Sequence, residues 1–181
     1  MQATRSLLDE GRFHESTVEE VADRAGVSRA TLYQHFPTRL DLVDAICDTF
    51  AENPALLAAR ESVRLPDLDQ ALAETIANSV RFWSAEDEVL AQLYGATAVD
   101  PAARDLVERQ LGDRRGEMAH LVRRLDDAQR LGRGTDRRRA LSHLMLVTSF
   151  GAYRELRQER LSDARATAML QDMARTLLID S

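Results

Sequence analysis

Residues 17–39, TVEEVADRAGVSRATLYQHFPTR, constrain this chain more than any other stretch. They predict two short helices, Thr17 to Ala25 and Arg29 to Phe36, joined by Gly26-Val27-Ser28. Ser16 or Thr17 caps the first helix, with Glu19 or Glu20 completing a capping box. Val18, Val21 and Ala22 make a small apolar face at helical spacing. Gly26 suits the left-handed backbone that ends a helix. Val27 plugs the angle between the helices, and Ser28 caps the second. Leu32 and Phe36 face a core, which leaves Arg29, Thr31, Tyr33, Gln34 and His35 on the exposed sides. Ala30 is small enough for close approach. Pro37 stops the helix, and Thr38 caps another that starts at Arg39. This layout is a helix-turn-helix, whose second helix lies in a DNA major groove.

Composition fits that layout. A chain of 181 residues with few Gly and Pro can bury one sizeable core, or a small domain joined to a larger one, built of helices. No apolar run reaches the ~18 residues of a membrane span, and no secretory signal is expected. Cys47 is the single cysteine, so no disulfide framework forms and a cytoplasmic location is expected. Every basic side chain is Arg, which hints at a GC-rich bacterial genome. The net charge of −6 argues against a general nucleic-acid coat protein. Yet no acid occurs from Arg24 through Leu40, the stretch that carries the groove-facing helix. Arg137 to Arg154 is also acid-free and reads as core.

The remainder is helical. Leu42, Val43, Ile46 and Phe50 stripe a connecting helix, 39–53, and Pro54 and Pro66 bound an irregular or weakly helical link. Further helices are expected at 67–83, at 85–97 capped by Ser84, and at 101–131, opened by Asp100-Pro101 and stopped by Gly132. Two more follow, 137–159 capped by Asp136 and 163–179 capped by Ser162. The fold class is all-α, about nine helices: a helix-turn-helix domain at 1–50 that includes the connecting helix, and a helical bundle at 51–181. The last two helices, rich in Leu, Met and Ala, are expected to form a four-helix bundle with those of a second copy.

No catalytic or metal site is expected, and no cofactor. Glu117-x-x-His120 has di-iron spacing but occurs once, where such sites need two copies and further Glu. His143 facing His120 would make a poor metal site, and Ser142-His143 lacks a placed acid and an oxyanion hole. The Arg137-Arg138-Arg139 run reads as a solvated face. No P-loop, dinucleotide glycine motif or CxxC is present.

VSRATLYQHFPTR, preceded by a Thr-led helix ending in Ala-Gly, resembles the DNA-binding domain of the TetR family of bacterial repressors. The T-L-Y-x-H-F core carries the match, which covers roughly residues 3–50; the rest is similar only in length and helical pattern. The resemblance implies a cytoplasmic, homodimeric repressor that binds a palindromic operator and is released by a small-molecule effector. It implies base contacts from Arg29, Ala30 and Tyr33, and phosphate contacts from Thr17, Ser28, Thr31, His35 and Arg39. Arg39 stands where the family usually has Lys. It also implies an effector cavity within 67–160, and Phe82, Trp83, Tyr94, Met118, His120, His143, Met145, Phe150 and Tyr153 are the candidate lining. The effector is expected to act by moving the 101–131 helix and the connecting helix 39–53. One departure concerns the start. The chain opens at Met1-Gln2-Ala3 inside the family's longer first helix, with Leu7, Leu8 and Phe13 as its apolar face. That is a clipped or a short start, and no minor-groove arm is assigned. Two rivals stay open: a helical sensor or interaction module that has lost DNA binding, and a helical-bundle enzyme.

Overall fold

A computed structural model describes residues 3, 6, 7, 10, 16–97, 100–110 and 112–179. Among these, eleven helices and no strands occur: α1 (Val18–Ala25), α2 (Arg29–His35), α3 (Arg39–Phe50), α4 (Pro54–Ser62), α5 (Leu68–Ala85), α6 (Asp87–Thr97), α7 (Pro101–Gln110), α8 (Gly112–Asp127), α9 (Arg137–Val147), α10 (Phe150–Gln158) and α11 (Asp163–Leu178). The fold is the expected all-α one. Of the apolar face expected for the first helix, Leu7 is fully buried, while Leu8 and Phe13 lie outside the described residues.

The chain divides into two compact units, Met1–Glu52 with Glu86–Leu111, and Asn53–Ala85 with Gly112–Ser181. In the first, α1 packs on α2, α3 on α7, and α6 on α7. Val21, Ala22, Leu32, Leu42, Ile46 and Phe50 form buried core there, with Val89, Leu90, Leu93, Ala103 and Val107. In the second, α5 lies against α4, α8, α10 and α11, and α9 against α8 and α11. The α5 core positions Leu72, Ile76, Val80 and Trp83 follow one buried stripe at steps of four, four and three.

Several boundaries differ from the sequence expectation. The link after Pro54 is a helix, because Asn53 caps it through Ala55 N–H at 2.9 Å and Pro54 fits the first turn. Carbonyls just past its end are covered from α8: Arg124 donates to the Val63 and Leu65 carbonyls at 2.6 Å each. The expected 101–131 helix is described on either side of Leu111, as α7 and α8, and Leu111 itself lies outside the described residues. The end of α8 is earlier than expected. Gln129 takes a left-handed φ of 55° and Arg130 N–H closes back on Leu125 O at 2.8 Å, so the helix stops at Asp127 rather than at Gly132. Gly132 N–H instead bonds the Leu178 carbonyl at 2.8 Å.

The expected 137–159 helix breaks at Thr148-Ser149. Thr148 Oγ1 bonds the Leu144 carbonyl, and Ser149 turns extended to cap α10 through Ala152 N–H at 3.0 Å. Ser84 caps nothing; its hydroxyl bonds Asp163 at 2.5 Å. Asp100, Asp136 and Ser162 do cap the helices that follow them.

Candidate nucleic-acid interface

The pair α1–α2 is built by caps at both starts. Thr17 Oγ1 accepts from Glu20 N–H at 3.2 Å, and Ser28 Oγ from Thr31 N–H at 3.1 Å. Between them Gly26 sits at φ 67° and hands its N–H to the Ala22 and Asp23 carbonyls, ending α1. Pro37 ends α2, and Thr38 with Asp41 forms a reciprocal capping box for α3. Every termination is thus satisfied locally, which holds α2 at a set angle to α1.

On α2, Leu32 is buried, whereas Arg29, Ala30, Thr31, Tyr33, Gln34 and His35 are all exposed. Phe36 is half-buried beside the His35 ring, at 6.4 Å between centroids. Thr17 and Ser28 are exposed at the two helix starts, with the Ser28 and Thr31 hydroxyls 2.8 Å apart. Val27 does not plug the turn; it is 38% exposed. The Arg39 side chain, expected at a phosphate, lies outside the described residues.

The acid-free window does not stay acid-free in space. Arg24 turns to Glu10 at 2.7 Å and Glu20 at 3.7 Å. Arg29 forms an ion pair with Glu19 and lies over the Tyr33 ring, 5.4 Å from its centroid. Tyr33 first, then Glu19, raises the Arg29 pKa, so this guanidinium is charged under any working condition.

The other candidate residues divide between the units. Tyr94 belongs to the first unit; the rest lie in the second. There Phe82, Trp83, Phe150 and Tyr153 form a buried chain of rings, with successive centroids 4.9, 5.7 and 6.2 Å apart. Met118 is buried and Met145 half-buried. His143 Nδ1 meets the Leu177 carbonyl at 3.2 Å. His120 is half-buried, and its pKa is lowered by burial and then by Arg123, Arg124 and Arg64. Glu117 pairs with Arg60 at 3.5 Å. Among the described residues no group of three His, Cys, Asp or Glu could hold a metal ion. Cys47 is buried and its thiol pKa is pushed up to about 12, chiefly by burial, so it is inert.

Residues 1–46 match the profile of the bacterial regulatory proteins of the tetR family. Over those residues the chain is similar to that family's DNA-binding segment. A 51-residue stretch is 41% identical to the HTH-type transcriptional activator FasR of Mycolicibacterium smegmatis, and it spans 28% of this chain and 23% of that one. Solved TetR-like structures superpose over nearly the whole chain. A transcriptional regulator FadR from Bacillus subtilis, in complex with stearoyl-CoA, aligns at a TM-score of 0.77, with 14% identity, over 98% of this chain and 95% of that one. A putative TetR-family transcriptional regulator from a Rhodococcus species aligns at 0.75, with 17% identity and the same coverage of both chains. At such identities these likenesses establish the fold alone.

Two residues of this chain were not legible in the sequence. Glu19 was legible only as a capping acid, because its partner Arg29 is ten positions away across the turn. Arg114 carried no signal at all. It crosses to the break between α9 and α10, donates to the Met145 carbonyl at 3.1 Å and Thr148 Oγ1 at 2.6 Å, and lies 6.0 Å from the Trp83 ring centroid. Trp83 Nε1–H donates to the Thr148 carbonyl at 3.0 Å. Both serve carbonyls orphaned where α9 stops.

Proposed function

We propose that this chain is a TetR-type, ligand-responsive transcriptional repressor that binds a palindromic operator as a homodimer. One observation carries the reading: α2 buries Leu32 and turns Arg29, Ala30, Thr31, Tyr33 and His35 to solvent from a doubly capped scaffold. Arg29 offers two donors to guanine O6 and N7, and the Tyr33 ring packs on a thymine methyl. Thr17, Ser28, Thr31 and His35 bond phosphates and fix register, with Arg39 as the added cation. The test is enrichment of duplexes from a randomised library by the purified protein. A single palindromic sequence is the expected product, and recovery of unselected DNA would overturn the reading. Output sign is read by a reporter behind that sequence. Repression is expected, although the FasR relative is named an activator.

The homodimer is supported by apolar side chains left open on one pair of contacting helices. Leu146 of α9 is 59% exposed, and Met169 and Met173 of α11 are 48% and 39% exposed. A second copy is the occupant that buries them symmetrically.

The effector acts in the second unit, at the rings of Phe82, Trp83, Phe150 and Tyr153 with Met118 and Met145. Apolar walls beside fixed donors such as Arg114 are the usual make-up of a ligand pocket. His120 and His143, of the same unit, complete the proposed lining. Release from DNA follows if the effector binds one conformation of the protein better than the other. Trp83, the chain's one tryptophan, reports on this site directly. A cognate effector is expected to shift its emission and weaken operator binding together.

A further inference from the structure

Glu19 stands in the first turn of α1 and Arg29 is the first residue of α2. Their ion pair crosses the turn, while the Tyr33 ring supports the guanidinium from 5.4 Å. The side chain assigned to a base edge is therefore held by an acid and by a ring of the protein itself. Both members of the pair are open to solvent, with side chains 59% and 49% exposed for Arg29 and Glu19. An exposed pair is weak, so DNA can displace it.

We propose that Glu19 is a positioning residue for Arg29 that sets sequence selectivity. This rests on the DNA-binding reading above. A guanidinium freed from its acid is a mobile positive charge, and any phosphate satisfies it. Bidentate bonding to guanine instead demands one orientation of the planar group. The carboxylate steers between these outcomes. It occupies the guanidinium until a base edge takes over its hydrogen bonds, and it opposes a slide toward the phosphates. The ring of Tyr33 keeps the guanidinium plane from turning while the exchange occurs. Glu19 thus costs affinity on every duplex, and least on the duplex that offers a correctly placed guanine.

The test compares the duplex enriched by the wild-type protein with a random duplex pool. Dissociation constants for both are read by fluorescence anisotropy for wild type, Glu19→Gln and Glu19→Asp, each also with Arg29→Ala. Glu19→Gln is expected to tighten the random pool by roughly two- to fivefold, the range an exposed ion pair spans. The selectivity ratio falls by a similar factor. Glu19→Asp keeps the charge and the helix-start acid but is one methylene shorter, so it too lowers the ratio. With Arg29→Ala in place, neither substitution alters the ratio. The proposal is overturned if Glu19→Gln leaves the ratio unchanged or if Glu19→Asp matches wild type. It is equally overturned if the effect persists without Arg29. A wild-type protein that enriches no duplex would sink the DNA-binding reading instead, and this proposal with it. Thermal melts of each variant separate loss of folding from loss of selectivity.

Discussion

Arg29, Tyr33 and Leu32 share one short helix and differ in the side they occupy: Leu32 is buried and the other two meet solvent. Removing either exposed side chain takes nothing from the core. Arg29→Ala and Tyr33→Ala are therefore expected to leave the thermal midpoint near wild type. Each should cost about 1–3 kcal/mol on the selected duplex and much less on random DNA, measured by anisotropy. Equal losses on both would mean that these groups do not read sequence. His120 gives a prediction of another kind. Burial and the cations Arg123, Arg124 and Arg64 lower its folded pKa below its ordinary value. Where the unfolded chain holds the proton and the folded one does not, stability rises with pH. The contribution is complete above the unfolded value of about 6.5 and is lost as pH falls through it toward the folded value. The thermal midpoint of His120→Gln should drop less than that of wild type on acidification from pH ~7.5 to ~5.5. A drop of the same size in both proteins would refute the assignment.

Elements in this chain begin where a capping side chain says so and end where backbone geometry allows. Ser28→Ala removes the acceptor for Thr31 N–H and should cost about 1 kcal/mol. Gly26→Ala meets open space but places a Cβ at φ 67°, which should cost about 1–2 kcal/mol. Urea titrations of both variants check these values, and a neutral Gly26→Ala would mean that the turn relaxes. The starts were legible because Thr17, Ser28, Thr38, Asp100, Asp136 and Ser162 announce themselves within four residues of the groups they bond. The interior breaks were not. Thr148-Ser149 reads as ordinary helix by its apolar spacing. It breaks because Arg114 and Trp83, distant in sequence, satisfy the carbonyls that a break exposes. The same holds at Gln129, where a non-glycine residue takes the left-handed conformation expected at Gly132.

At the scale of the whole molecule the proposed regulator needs two copies and two ligands. Leu146, Met169 and Met173 leave an apolar face that a monomer would expose to water. Replacing Leu146 and Met169 together by Glu is expected to convert a dimer into monomers in light scattering at micromolar concentration. Those monomers should bind one half-site weakly. A wild-type protein that already runs as a monomer would contradict the dimer. Linkage then requires operator DNA to weaken effector binding by the same factor that effector weakens operator binding. Titrating Trp83 emission with and without the duplex measures that reciprocity.

The chain alone determined the helical class, the helix-turn-helix and the residues its second helix shows to solvent. Each of these depends on contacts within a few positions: caps, a glycine turn and the spacing of apolar side chains. Tertiary structure decided which acids approach the exposed arginines, where the long apolar stripes break, and which side chains close the ring cluster. Those outcomes join residues ten to more than sixty positions apart. Coulomb attraction and the demand of orphaned carbonyls act through space, and a linear pattern carries no record of which partners the fold will bring within reach.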